Sequence, residues 1–213
     1  MCDTDPRALI VAGLKQLGVR DENGLSLRLE RYRQELELWN PRMGLVSASG
    51  RELVVRHILD CLTALPRLWS CGVGPAIADI GSGAGLPGIV LACAAPSWDV
   101  TLIERSSKRC GFLRNAVLSV GLTNAHVVES DMSTVDRRYD AAVFRAFRPL
   151  TPELVASIAT LVRPGGAAYA YKGRRSSLEA ELARLGDSVS ADMWELDVPF
   201  LEEERHLVRL SGL

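Results

Sequence analysis

The stretch Asp79-Ile80-Gly81-Ser82-Gly83-Ala84-Gly85-Leu86-Pro87-Gly88 carries the clearest chemical signal in the chain. Glycines at 81, 83, 85 and 88 let a backbone turn sharply and approach a ligand closely. Pro87 suits the first turn of a helix, where its missing N–H costs nothing. Two nucleotide cofactors compete for such a loop. The run from Gly83 to Gly88 matches the dinucleotide fingerprint G-x-G-x-x-G. Asp79 stands against that reading, because its carboxylate would repel a pyrophosphate and attract the ammonium of a methionine moiety. The layout D-x-G-x-G-x-G therefore favours S-adenosylmethionine. An NAD-dependent oxidoreductase is the alternative, and a regulator that kept the pocket without turnover is a third reading.

Two further acids fit a nucleotide. Glu104 ends the next apolar run and can accept hydrogen bonds from both ribose hydroxyls, with either cofactor. Asp131, followed by Met132 and Ser133, comes after the third run and can face an adenine amino group.

These residues need a scaffold that brings strand ends together. Short apolar runs at 76–80, 100–104, 125–128, 141–144 and 167–171 read as strands. Helical patterns at about 86–95, 107–119, 152–162 and 176–185 lie between them. Alternation at this spacing predicts a parallel sheet covered on both faces, with ligands at the C-terminal ends of its strands. Segments at about 190–198 and 205–210 read as two strands with no helix between them, an antiparallel pair at one sheet edge. Before residue 70 the period is helical. Leu25, Leu29, Tyr32, Leu36 and Trp39 form one apolar face, and Leu53, Val54, Ile58, Leu62 and Leu65 form another. Residues 1–70 are thus predicted to be a helical cap and 71–213 one compact catalytic unit.

The chain has 213 residues, with 25 Lys+Arg and 26 Asp+Glu, a net charge of −1. An apolar content of 47% at this charge excludes disorder as the main state. No apolar run reaches the roughly 18 residues of a membrane helix, and the acidic N-terminus lacks a signal-peptide layout. Five cysteines without a C-x-x-C pair argue against zinc or a disulfide framework, so reduced thiols in a cytoplasm are expected, with no metal. Charge is locally uneven. Lys172, Arg174 and Arg175 form one basic knot, and Arg137, Arg138, Arg145 and Arg148 another. The acidic C-terminal stretch, including Glu202, Glu203 and Glu204, is expected to sit away from them.

Further short motifs run through the chain: Leu38-Trp39-Asn40, Arg56-His57-Ile58-Leu59-Asp60, Lys108-Arg109-Cys110-Gly111-Phe112-Leu113-Arg114, Phe144-Arg145-Ala146-Phe147, Tyr171-Lys172-Gly173 and Glu204-Arg205-His206-Leu207-Val208. With the glycine loop, and in this order, they resemble the glucose-inhibited division protein B (RsmG) family. These are bacterial methyltransferases of 16S ribosomal RNA acting on guanine N7. The resemblance covers nearly the whole chain. It implies a class I methyltransferase (Rossmann-like) α/β fold: a seven-stranded sheet, last two strands antiparallel, with an N-terminal helical extension. It also implies S-adenosylmethionine held by Asp79, Gly81, Gly83, Gly85, Leu86, Glu104, Asp131, Met132, Ser133 and Arg145. Gly44 and Ser47 depart from the family's usual Asn and Thr, and Met132-Ser133 from its usual Ala/Val-Glu.

The acceptor chemistry is consistent with this. The position after the fourth strand holds Phe144-Arg145-Ala146-Phe147-Arg148-Pro149, not the acid or Asn with Pro-Pro and an aromatic used for amino methylation. No cysteine lies there for attack on a pyrimidine carbon. Guanine N7 has an in-plane lone pair and needs only placement. Arg145 is the candidate catalytic residue, bonding near the cofactor or guanine O6, or else a salt bridge to Asp140 or Glu153. The resemblance places Arg56, His57, Lys172 and Arg205 on the RNA-facing cleft, and charge adds Arg148, Arg174 and Arg175. His57 is equally readable as a core histidine bonded to a carbonyl. His206 and Trp39 read as structural. The expected partner is 16S rRNA or the small ribosomal subunit, with the protein a monomer.

Overall fold

In the computed structural model, residues 5–186 and 189–213 are described. Five strands, β1 (Ala76–Ile80), β2 (Asp99–Glu104), β3 (Ala125–Glu129), β4 (Tyr139–Arg145) and β5 (Val162–Lys172), pair in parallel. Strands β6 (Ser190–Glu195) and β7 (His206–Ser211) complete a seven-stranded sheet ordered β3-β2-β1-β4-β5-β7-β6. Strand β7 runs antiparallel to both neighbours and lies between β5 and β6. The expected antiparallel pair is therefore present, with β6 at the rim. Strand β5 starts five residues before the predicted 167, because Val162 already pairs with Tyr139 ahead of a register shift.

Helices α6 (Gly88–Ala94), α7 (Ser107–Val120), α8 (Pro152–Ala159) and α9 (Arg175–Leu182) connect the strands. Ser106 and Thr151 cap α7 and α8 with side-chain oxygens, accepting from Arg109 and Leu154 N–H. The first 70 residues hold α1 (Pro6–Gln16), α2 (Leu25–Met43), α3 (Gly50–Leu53), a π-helical turn (Val54–Leu59), α4 (Asp60–Thr63) and α5 (Leu65–Ser70). Every residue of the two predicted apolar faces is buried except Trp39, which is half-buried. Burying each leucine contributes about 1.5–3 kcal/mol. Helix α1 comes so close to the π turn that a Cβ on Gly13 would lie 2.5 Å from the Leu59 side chain.

One hydrophobic core runs unbroken from α1 and α2 through α6 and α7 to one face of the sheet. A second core lies under α8 and α9 on the other face. The helices before residue 70 are thus welded to the sheet, and α2 packs along α7. Among the described residues no helix is long and apolar enough to cross a membrane.

Candidate active site

The glycine loop leaves β1 and is tied down on three sides. Gly81 and Ser82 N–H donate to the Ile103 carbonyl of β2, at 2.9 and 3.1 Å. Tyr32 on α2 donates its hydroxyl to the Ala84 carbonyl at 2.5 Å. Glu104 accepts from Gly83 N–H at 3.0 Å and from Ser106 N–H at 2.8 Å. Gly81 has φ +66°, and a Cβ there would lie 2.3 Å from the Phe147 ring. The segment Ala146–Phe147, just after β4, thus rests on the loop, with Ala146 itself at φ +49°, a conformation that costs a non-glycine residue energy.

Asp79 is fully buried beneath the loop. Its Oδ2 accepts from Gly88 N–H at 3.0 Å, at the start of α6, while Oδ1 is buried without a partner. Burial pushes its carboxyl up to about 7.

Two clefts open along the C-terminal strand ends and share Ala146 on their walls. The first, about 510 Å³, is lined by Gly81, Glu104, Asp131, Met132, Ser133, Phe147 and Arg148, among others. Asp131 caps the short turn Met132–Thr134, accepting from Ser133 N–H at 3.0 Å and Ser133 Oγ at 2.8 Å. These bonds hold its carboxyl below the usual range. The Arg148 guanidinium stacks 5.1 Å from the Phe147 ring centre. Of the residues expected to hold a cofactor, Asp79, Gly83, Gly85, Leu86 and Arg145 do not line this cleft. Gly85 is packed instead against Ile89 and Leu113.

The second cleft, about 560 Å³, is lined by Arg56, His57, Asp60, Arg145, Lys172 and Arg205, with Ser47 and Glu52 beside them. Its centre is an ionic network around Asp60, a carboxylate 3% exposed. Asp60 Oδ2 accepts from Arg145 Nη1 at 2.6 Å, and Oδ1 lies 3.4 Å from Arg205 Nε. Arg145 also donates to the Arg56 carbonyl at 3.0 Å and, through Nη2, to His57 Nδ1. Burial, then the cations Arg145, Arg205 and Arg56, lower the His57 imidazolium to about 4, so the ring is neutral at pH 7. Arg145 therefore meets Asp60 and not Asp140 or Glu153. Asp140 pairs with Arg163. His57 bonds a guanidinium, whereas the carbonyl-bonded histidine is His206, on Gly173 at 2.7 Å.

The acidic stretch is not remote from the basic residues, as its composition suggested. Glu203 makes a bidentate pair with Arg56 (2.6 and 3.0 Å) and bonds Arg205 at 3.1 Å. Glu204 accepts from Arg175 N–H at 2.9 Å. The β6–β7 turn brings them there because β7 is inserted beside β5. Lys172 is paired with Glu181 at 2.6 Å, and Arg175 with Glu179 at 2.7 Å. Arg174 is exposed. Arg148, Arg174 and Arg175 do not line the second cleft.

Sequence reasoning assigned no role to Asp60 or Tyr32. The readable signal for Asp60 was an acid inside the apolar run Ile58–Leu62. Tyr32 read as apolar filling, although its hydroxyl holds the glycine loop. The four described cysteines are free, and burial pushes the Cys61 thiol up, away from reactivity. Among the described residues no group of three His, Cys, Asp or Glu could hold a metal.

A family model described as "rRNA small subunit methyltransferase G" matches residues 26–208. The chain belongs to this family. Relatives named ribosomal RNA small subunit methyltransferase G include one from Treponema pallidum (strain Nichols), 41% identical over 99% of this chain and 96% of the relative. Another, from Burkholderia pseudomallei (strain 1106a), is 36% identical over 96% and 90%. Among solved structures, a methyltransferase from Pyrococcus furiosus aligns with TM-score 0.61 at 16% identity, covering 88% of this chain and all of that one. The magnesium protoporphyrin IX methyltransferase of Synechocystis, solved with bound S-adenosylmethionine, aligns at 0.57 and 14% over the whole of both chains. The fold is thus the class I methyltransferase fold. Family membership makes the chain an S-adenosylmethionine-dependent methyltransferase, and the oxidoreductase and regulator readings are not favoured.

The first cleft fits this cofactor on its own terms. Glu104 has both oxygens held by backbone N–H groups yet keeps spare lone pairs for a diol. Met132, Phe147 and Leu154 give an apolar wall for a purine. Gly81 lets the Phe147 ring close down on the loop, where a Cβ would lie 2.3 Å from it.

Proposed function

We propose that the protein methylates N7 of a guanine in 16S rRNA, in the small ribosomal subunit or a precursor, as a cytoplasmic monomer. The observation that carries the reading is the junction at Ala146, where the first cleft meets a cleft that carries four cationic donors, Arg56, Arg145, Lys172 and Arg205. A guanine presents two acceptors, N7 and O6, on its major-groove edge. The side chains of Arg56, Arg145, Lys172 and Arg205 offer only donors there.

S-adenosylmethionine supplies an electrophilic methyl on a sulfonium. Glu104 would accept from the ribose hydroxyls. Asp131, Met132 and Ser133 would flank the adenine, and Asp79 holds the loop through Gly88. Arg145 would hold the purine edge so that N7 faces the bound cofactor. No proton leaves N7, so placement and orientation are the main contribution of these side chains. Lys172, Arg205 and Arg56 neutralise phosphates of the approaching strand.

The test is incubation of the protein with methyl-labelled S-adenosylmethionine and small subunits from cells lacking the enzyme. Label in 7-methylguanosine after nuclease digestion is expected. Label in any other nucleoside, or in protein, would overturn the reading.

A further inference from the structure

His57 is the one residue of the second cleft whose hydrogen-bonding state is forced by its neighbour. A guanidinium nitrogen can only donate. Arg145 Nη2 meets His57 Nδ1, so Nδ1 must accept and the ring proton must sit on Nε2. That Nε2 is buried and has no hydrogen-bond partner in the protein. A buried donor left unmade costs about 1–3 kcal/mol and calls for an explanation. The network that imposes this cost is strongly built. Asp60 holds Arg145 at 2.6 Å, the Arg56 carbonyl holds it at 3.0 Å, and Arg205 closes the other side of Asp60. The chain thus keeps one neutral ring N–H pinned among the cations Arg56, Arg145, Lys172 and Arg205, and leaves it unsatisfied.

A full cation attracts any electronegative atom, phosphate included. A neutral, directionally fixed N–H can distinguish one purine from another. Position 6 of guanine is an acceptor, whereas that of adenine is an amino donor. We propose that His57 reads the base: its Nε2–H donates to O6 of the target guanine and rejects adenine by donor–donor conflict. Asp60 is the positioning residue, acting through Arg145 to hold the tautomer. This rests on the guanine reading given above.

The wild-type protein suffices for the test, since it has only three histidines. Their bonding separates them: His206 donates from Nδ1 to Gly173, and His126 lies against Asp99 at the surface. The full chain, labelled with ¹⁵N-histidine and saturated with S-adenosylhomocysteine, is observed at pH 7 while guanosine 5′-monophosphate is added. The expected result is a neutral Nε2–H ring for His57, whose proton moves downfield with the guanine nucleotide. It should not move with the 2-aminopurine nucleotide, which lacks O6, or with the adenine nucleotide. A protonated or Nδ1–H ring overturns the proposal, as does a response to all three nucleotides or to none. His57→Ala should erase the preference for the guanine nucleotide over the 2-aminopurine one, a loss of roughly tenfold or more. Should that variant fail to fold, the wild-type spectra still decide. Label in 7-methylguanosine with a silent His57 sinks this inference alone. Label in another nucleoside sinks the guanine reading, whatever the ring's tautomer.

Discussion

Replacing Glu104 with Ala separates a structural from a cofactor-binding role by magnitude. The carboxylate accepts from Gly83 N–H and Ser106 N–H at 3.0 and 2.8 Å. Deleting it strips both donors of their partner. Water can reach this cleft-lining position, so the stability loss is at the low end for orphaned donors, about 2 kcal/mol for the pair. If the same carboxylate also accepts from ribose hydroxyls, cofactor binding loses a further 1.5–3 kcal/mol, about 10- to 200-fold in Kd. Urea denaturation with an unchanged m-value reads the first quantity. Calorimetric titration with S-adenosylhomocysteine, at a temperature where the variant is folded, reads the second. Glu104→Gln keeps one acceptor oxygen and should fall between wild type and Ala in both. Wild-type affinity in a folded Glu104→Ala protein would refute the assignment. An affinity loss no larger than the folding loss can explain would do the same.

Asp79 gives a pH signature. Its folded value of about 7 lies above the ordinary carboxylate value of 3.8, so between those pH values the native state binds more protons than the unfolded chain. Stability should then fall as pH rises from about 4 to about 7, and Asp79→Asn should flatten that slope in urea midpoints measured across the window. Asp60→Ala leaves Arg145 without its carboxylate, while Arg205 keeps Glu203. A loss of about 3 kcal/mol is expected, at the low end for breaking a buried pair, measured by chemical denaturation. Glu203→Gln removes the bidentate partner of Arg56 and one of the two carboxylates at Arg205. RNA should bind more tightly, with a slope of log K against log salt steeper by roughly 0.7–0.9 per phosphate gained, read by fluorescence anisotropy.

The parts of this molecule legible in the sequence are those set by local periodicity. Runs such as 76–80 and 100–104 are strands because apolar residues on both faces suit a doubly covered parallel sheet. The glycine loop was legible because φ > 0 and close approach leave few residue choices. What stayed hidden depends on partners distant along the chain. Asp60 meets Arg145 85 residues later and Arg56 meets Glu203 147 residues later, and no spacing rule connects them. Charge counting placed Glu203 and Glu204 away from the basic rim. Inserting β7 beside β5 turns them onto it, so the positive charge of Arg56 and Arg205, which we propose meets RNA, is partly offset by Glu203. Phe147 over Gly81 and the π turn carrying Arg56 and His57 are likewise consequences of packing, with no local motif to announce them.

Mass mapping of small-subunit rRNA from cells lacking this gene, before and after the gene is restored, measures the central claim directly. The account predicts one guanine that is 14 mass units lighter in the deletion strain, regains its methyl on restoration, and cleaves as a 7-methylguanine. Restoration with Arg145→Ala should leave it unmethylated. An unchanged small-subunit rRNA, or a missing methyl on a ribose, an exocyclic amine or a pyrimidine, would contradict the account.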